Sequence, residues 1–230
     1  MITPLREFAA YLAHPVPRQP AGLADPASRR VWSAMLVLHL GVLLLALAPL
    51  LKLWQAAMGL PSPDAFGKVP PALLLPLVTV IAPVGEEVAF RGWLTGRPRA
   101  IWLLLCGIIA ALLLTLVSNH VAETAASLGF VATAVAALGG WIALRHRKGA
   151  PVWFFRAYPL LFWLSVGSFG LSHLVNYPAF SLALLPMVLP QLWTGMVLGF
   201  VRMRVGLPGS MLVHGIANGA AVGLVILLSH

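Results

Sequence analysis

Hydrophobic positions in this chain neither alternate nor follow a one-sided helical stripe. They run almost continuously for stretches of about twenty residues, broken by short polar segments. Seven such stretches are read, at 31–51, 70–94, 100–118, 123–144, 157–177, 180–201 and 209–229. At about 1.5 Å rise per residue each can cross the roughly 30 Å of bilayer hydrocarbon. A backbone in lipid must satisfy its own hydrogen bonds, and the absence of alternation argues against a barrel, so each stretch predicts a helix. The expected fold is all-α: a polytopic transmembrane helix bundle of about seven spans, with eight as the alternative count. Residues 1–30 are polar and proline-containing and predict a flexible or interfacial cytoplasmic arm. Residues 31–230 predict a single transmembrane helical domain. Within it, 58–69 reads as an outer loop and Tyr177-Pro178 as a tight turn between spans five and six. Pro159 is expected to begin a tilted helix, and Pro186 and Pro190 to kink span six.

Composition sharpens the class. The chain has 230 residues, 60% hydrophobic and only 9% charged, where a soluble domain carries about 25% charged residues. The net charge of +9 does not point to nucleic acid, because the basic residues lie in the short segments between apolar runs, where they meet lipid headgroups. Arg6, Arg18, Arg29 and Arg30 precede span one. Arg91, Arg97 and Arg99 fall at or after the end of span two. Arg145, Arg147, Lys148 and Arg156 separate spans four and five, and Arg202 and Arg204 follow span six. With seven spans all of these share one side, leaving Lys52 and Lys68 opposite. The positive-inside rule then predicts an integral membrane protein, of the inner membrane for a bacterial source, with a cytoplasmic N-terminus and span one as an uncleaved signal-anchor. The single cysteine, Cys106, excludes an intrachain disulfide and a cysteine-based metal site.

Against this apolar background three polar constellations stand out. The first is Glu86-Glu87-Val88-Ala89-Phe90-Arg91 in span two. A charge at membrane depth is costly and is a functional-site hypothesis by default. Glu87 and Arg91 are four apart and predict an ion pair on one helix face. Glu86 lies about 100° around the helix, shares a face with Phe90 and has no local counter-charge, so it is the candidate general base or acid. The second constellation is Phe169-Gly170-Leu171-Ser172-His173, which stacks Phe169 over His173. The third is His214-Gly215-Ile216-Ala217-Asn218, with both polar side chains on one face and Gly215 and Gly219 open to close approach by another helix. The remaining histidines, His39 in mid-span one among them, fall in no constellation.

Glu-Glu-x-x-Phe-Arg, then Phe-x-x-x-His, then His-x-x-x-Asn, in this order in one polytopic chain, resembles the CAAX protease and bacteriocin-processing (CPBP) family of intramembrane glutamic endopeptidases. The type II CAAX prenyl endopeptidases are similar to it as well. The resemblance covers spans two, five, six and seven. Spans three and four, with the basic loop 145–148, read as an inserted or elaborated pair. By resemblance, Glu86 and His173 would activate a water for attack on a peptide carbonyl, and His214 and Asn218 would stabilise the oxyanion. Glu87 and Arg91 would support the site, with Phe90 and Phe169 walling it. That set of base, orienter and oxyanion donors is what amide hydrolysis requires. The implied partners are the bilayer and a membrane-associated protein or peptide substrate, with no nucleic acid, cofactor or metal. Two other readings compete. Glu86, His173 and His214 could ligate zinc with a fourth position open. Alternatively, the buried polar set could serve a non-enzymatic scaffold, immunity or transport protein.

Overall fold

The computed structural model describes residues 2–64 and 69–228; Lys68, assigned above to the outer side, lies outside them. Every regular element among the described residues is helical. Helix α1 (Ile2–Ala13) precedes α2 (Pro26–Gly41), which is capped by Asp25 accepting from the Ser28 amide at 2.8 Å. A π-turn segment, Val42–Leu47, links α2 to α3 (Ala48–Ala57), and a second, Leu77–Ile81, links α4 (Pro71–Pro76) to α5 (Ala82–Arg91). Each is followed two residues on by a proline, Pro49 and Pro83 respectively. Proline cannot donate to the carbonyl four residues back, and the helix widens locally to re-pair its backbone. Thr79 helps by donating its hydroxyl to Leu75 O at 2.7 Å. Then follow α6 (Pro98–Ser118), α7 (Glu123–Ala143), α8 (Val152–Ser172), α9 (Leu189–Arg204) and α10 (Leu207–Leu228).

Six described stretches are long and apolar enough to cross a membrane: Pro26–Ala57, Ala72–Thr95, Pro98–Ser118, Glu123–Ala143, Val152–Asn176 and Leu182–Arg204. They overlap the first six expected spans, and α10 occupies the seventh. The chain is a polytopic helical membrane protein. Large apolar side chains such as Leu45, Leu112, Val135 and Val175 are exposed on its spans, as a lipid-facing surface requires.

Three local expectations need correction. Pro159 lies inside α8, which already starts at Val152. Pro186 does not kink a continuous helix. It sits in a 3₁₀ segment, Leu182–Val188, and Pro190 then opens α9, where a missing N–H costs nothing. The tight turn at Tyr177-Pro178 is a short non-helical stretch running to Ser181.

The chain divides into two compact units. One is Gly92–Ala157, essentially the pair of spans read as an elaboration. In it α6 and α7 form an antiparallel hairpin. Trp102 donates to Ala136 O at 3.0 Å, and a side chain at Gly140 would collide with the Trp102 ring. The other unit holds the residues up to Arg91 and from Tyr158 onward. Its centre is α9, the most buried span. Phe162 of α8 approaches Gly199 so closely that an added Cβ there would meet its ring at 2.6 Å. The N-terminal arm is docked on this unit: Phe8 and Tyr11 are buried, Tyr11 hydrogen-bonds the Tyr158 hydroxyl at 2.9 Å, and Glu7 pairs with Arg18 and Arg204. Burial, reinforced by Tyr158, pushes the Tyr11 phenol far above its ordinary pKa, so it stays neutral.

Candidate active site

The acidic segment lies on α5, facing α10. Glu87 and Arg91 form the ion pair expected from their spacing: Arg91 Nη1 donates to Glu87 Oε1 at 2.7 Å, and both side chains are essentially inaccessible. The guanidinium lies over the Phe169 ring, 3.9 Å from its centroid, and Phe90 packs edge-on against Phe169 at 5.2 Å. The α5 backbone is held from two sides, by Ser165 donating to Phe90 O at 2.6 Å and Arg202 donating to Arg91 O at 3.1 Å.

Glu86 is different. Its side chain is 29% exposed while that of Glu87 is 0% exposed, so of the two carboxylates only Glu86 can meet water. It does have a counter-group, supplied by another helix: His214 Nε2 is 3.5 Å from Glu86 Oε2. The other ring nitrogen, Nδ1, is 3.2 Å from Glu87 Oε1. Donation from Nδ1 to Glu87 sets the tautomer, and Nε2 then faces Glu86. At 3.5 Å this is an electrostatic contact rather than a hydrogen bond, and Glu86 Oε2 accepts no other bond from the protein. Ser210, fully buried one turn before His214, has its hydroxyl beside the Glu87 carboxylate.

His173 follows α8 at the start of a 3₁₀ turn. Its Nδ1 donates to Phe169 O at 2.8 Å, which orients the ring and leaves Nε2 for another partner. Phe169 links it to the rest, with ring centroids 4.8 Å from His173 and 5.8 Å from His214. His173 makes no direct hydrogen bond or ion pair with Glu86. Among the described residues no three His, Cys, Asp or Glu side chains form a metal-ligating group, so the zinc triad read from Glu86, His173 and His214 is not assembled.

Asn218 is committed elsewhere. Its amide donates to Val78 O at 2.9 Å, in the π-turn segment eight residues before Glu86. Widening of the helix there leaves a carbonyl that the neighbouring span can use. The same crossing explains the glycines: a Cβ on Gly215 would collide with Thr79 O, and one on Gly219 would come within 3.3 Å of Thr79 Cγ2. Gly215→Ala is therefore expected to force α10 away from the π-turn segment and lower stability by about 1–3 kcal/mol. Gly223→Ala, where a Cβ meets nothing within 4 Å, is expected to be neutral or stabilising. Thermal unfolding in detergent compares the two directly.

The site thus combines a water-accessible glutamate, a buried ion pair beside it, and a histidine from a distant span facing both glutamates. Residues 68–158 match the Rce1-like family of type II CAAX prenyl endopeptidases. The Rce1-like stretch contains Glu86, Glu87, Phe90 and Arg91 and ends before Phe169, His173, His214 and Asn218. It supports a peptidase embedded in the membrane. No curated protein and no solved structure is significantly similar to the chain.

Sequence reasoning passed over His39. It is fully buried on α2, neither ring nitrogen has a hydrogen-bond partner, and it lies within electrostatic reach of His214. The signal was available: an imidazole in mid-span is costly wherever it sits.

Proposed function

We propose that this protein is an intramembrane endopeptidase of glutamic type that hydrolyses a peptide bond in a membrane-anchored or membrane-inserted protein or peptide, without metal or cofactor. The observation that carries the reading is the division of labour between the two glutamates. Glu87 is consumed by Arg91, while Glu86 stays accessible and faces a histidine. Glu86 removes a proton from water, and the hydroxide adds to the scissile carbonyl carbon. His173 assists through Nε2, the ring nitrogen that Phe169 O does not engage. The carbonyl oxygen gains negative charge as the tetrahedral intermediate forms. His214 and the second N–H of Asn218, whose first is held by Val78 O, donate to it. Collapse breaks the C–N bond, and the proton held by Glu86 passes to the leaving amine. Phe90 and Phe169 wall the site and limit bulk water.

The positive-inside pattern supports a cytoplasmic N-terminus and a cut near the cytoplasmic half of the bilayer. The matched family's name makes a prenylated C-terminal peptide the first substrate to try. The test uses the full chain in proteoliposomes, supplied with one peptide bearing a prenyl, an acyl or a transmembrane anchor, in water enriched in ¹⁸O. Mass spectrometry is expected to find cleavage near the anchor, ¹⁸O in the new carboxylate, and no loss of activity with chelator. Equal product from wild type and from Glu86→Gln protein would sink the proposal, and chelator sensitivity would restore metal chemistry.

A further inference from the structure

His39 obeys none of the rules that make a buried polar group tolerable. It is fully buried, both its ring nitrogens lack a hydrogen-bond partner, and it sits within a membrane-spanning stretch. Native interiors rarely leave such a group unpaired, and the exceptions gather where function requires them. Its position is set by the packing of α2. Ser28, Val31, Met35 and His39 form that helix's buried stripe, at the three- and four-residue steps of one helical face.

The stripe brings His39 to the level of the candidate site. Trp32 Nε1 donates to Gly209 O at 2.9 Å, which pins the middle of α2 to the first turn of α10. From that bond His39 is seven residues along α2 and His214 five along α10. At about 1.5 Å per residue these are rises of roughly 10 Å and 8 Å, so the two imidazoles lie at one depth on packed helices. The π-turn segment Val42–Leu47 begins three residues after His39, and such segments recur at functional sites. Nothing in the acidic cluster occupies His39, since His214 addresses Glu86 and Glu87 through its own two nitrogens.

We infer that His39 is a positioning residue for His214, joined by a bridging water to Nε2, the ring nitrogen whose 3.5 Å approach to Glu86 is not itself a hydrogen bond. The inference rests on the hydrolytic reading of Glu86 and His214 and extends the site to the first span. A packing role makes the opposite demand. Leucine at this position would remove two unpaired polar atoms and fill similar space, which is neutral or stabilising for structure.

The test is His39→Leu in the full chain, beside His39→Gln and Glu86→Gln. His39→Leu is expected to melt at or above the wild-type temperature in detergent. With the anchored peptide that wild type cleaves, kcat is expected to fall about tenfold or more, the worth of one hydrogen bond made in the transition state, with KM little changed and part of the loss recovered in His39→Gln. A readout independent of substrate uses ¹⁵N-histidine-labelled protein. The His39 ring signals, assigned by their loss in His39→Leu, are expected to shift in His214→Gln. Wild-type kcat in His39→Leu while Glu86→Gln is inactive overturns the role of His39 alone. Ring signals unmoved by His214→Gln overturn it without any substrate. Full activity in Glu86→Gln overturns the hydrolytic reading and this inference with it.

Discussion

Glu86→Gln is expected to reduce peptide cleavage by at least about 10²–10⁴-fold, the usual worth of a positioned general acid or base, while the helix bundle stays assembled. The substitution keeps the shape and one oxygen acceptor and removes only the ability to take a proton from water. The structural cost is small for a geometric reason. The Glu86 side chain is partly exposed, its nearest partner is His214 at 3.5 Å, and the carboxylate accepts no close bond whose loss would strand a donor. Cleavage in proteoliposomes, measured together with the melting temperature of the same preparation, separates the two effects. A large drop in melting temperature would mean that Glu86 belongs to the structural cluster, and retained cleavage would mean that it is not the base.

Its neighbour should behave in the opposite way. Glu87→Ala is expected to cost about 3–5 kcal/mol, because breaking a buried pair leaves an uncompensated charge behind. Arg91 is 1% exposed, its Nη1 has Glu87 Oε1 as acceptor, and its guanidinium otherwise meets the uncharged rings of Phe169 and Phe90. His214 Nδ1 loses the same oxygen. The loss is expected to appear first as a low yield of folded protein in the membrane, and in detergent as a lower unfolding temperature. The double variant Glu87→Leu with Arg91→Met removes both charges at similar volume and is expected to regain most of the stability but not the cleavage, because His214 then has nothing to set its tautomer. A double variant as unstable as Glu87→Ala alone would show that the ion pair is not what holds this region.

These two adjacent residues differ in expected behaviour because of what surrounds them, and only part of that was legible beforehand. The partnership of Glu87 with Arg91 follows from a four-residue step on one helix. The counterpart of Glu86 did not follow, since His214 lies 128 positions later in the chain and meets it only through the packing of α10 on α5. The glycines at 215 and 219 were readable as a place where another helix could approach. That the partner is the π-turn segment Leu77–Ile81, and that Asn218 takes its Val78 carbonyl, depends on a widening of the helix that hydropathy does not encode. Pro159, Pro186 and Pro190 misled for a related reason: a proline constrains the backbone locally, but whether it starts, ends or sits inside a helix is settled by the surrounding packing.

The amino-acid sequence by itself determined that this is a helical membrane protein, where its apolar stretches run, and which polar side chains are too costly in lipid to be incidental. These are properties of single residues and of steps within one helix, where transfer cost and the 3.6-residue period suffice. The tertiary structure decided which of two neighbouring glutamates is sealed and which meets water. It decided that a histidine from the last span faces both of them, and that a histidine from the first span is buried without a hydrogen-bond partner. Those outcomes depend on contacts between residues far apart in the chain, which the crossing of packed helices sets and the order of residues along any one of them does not.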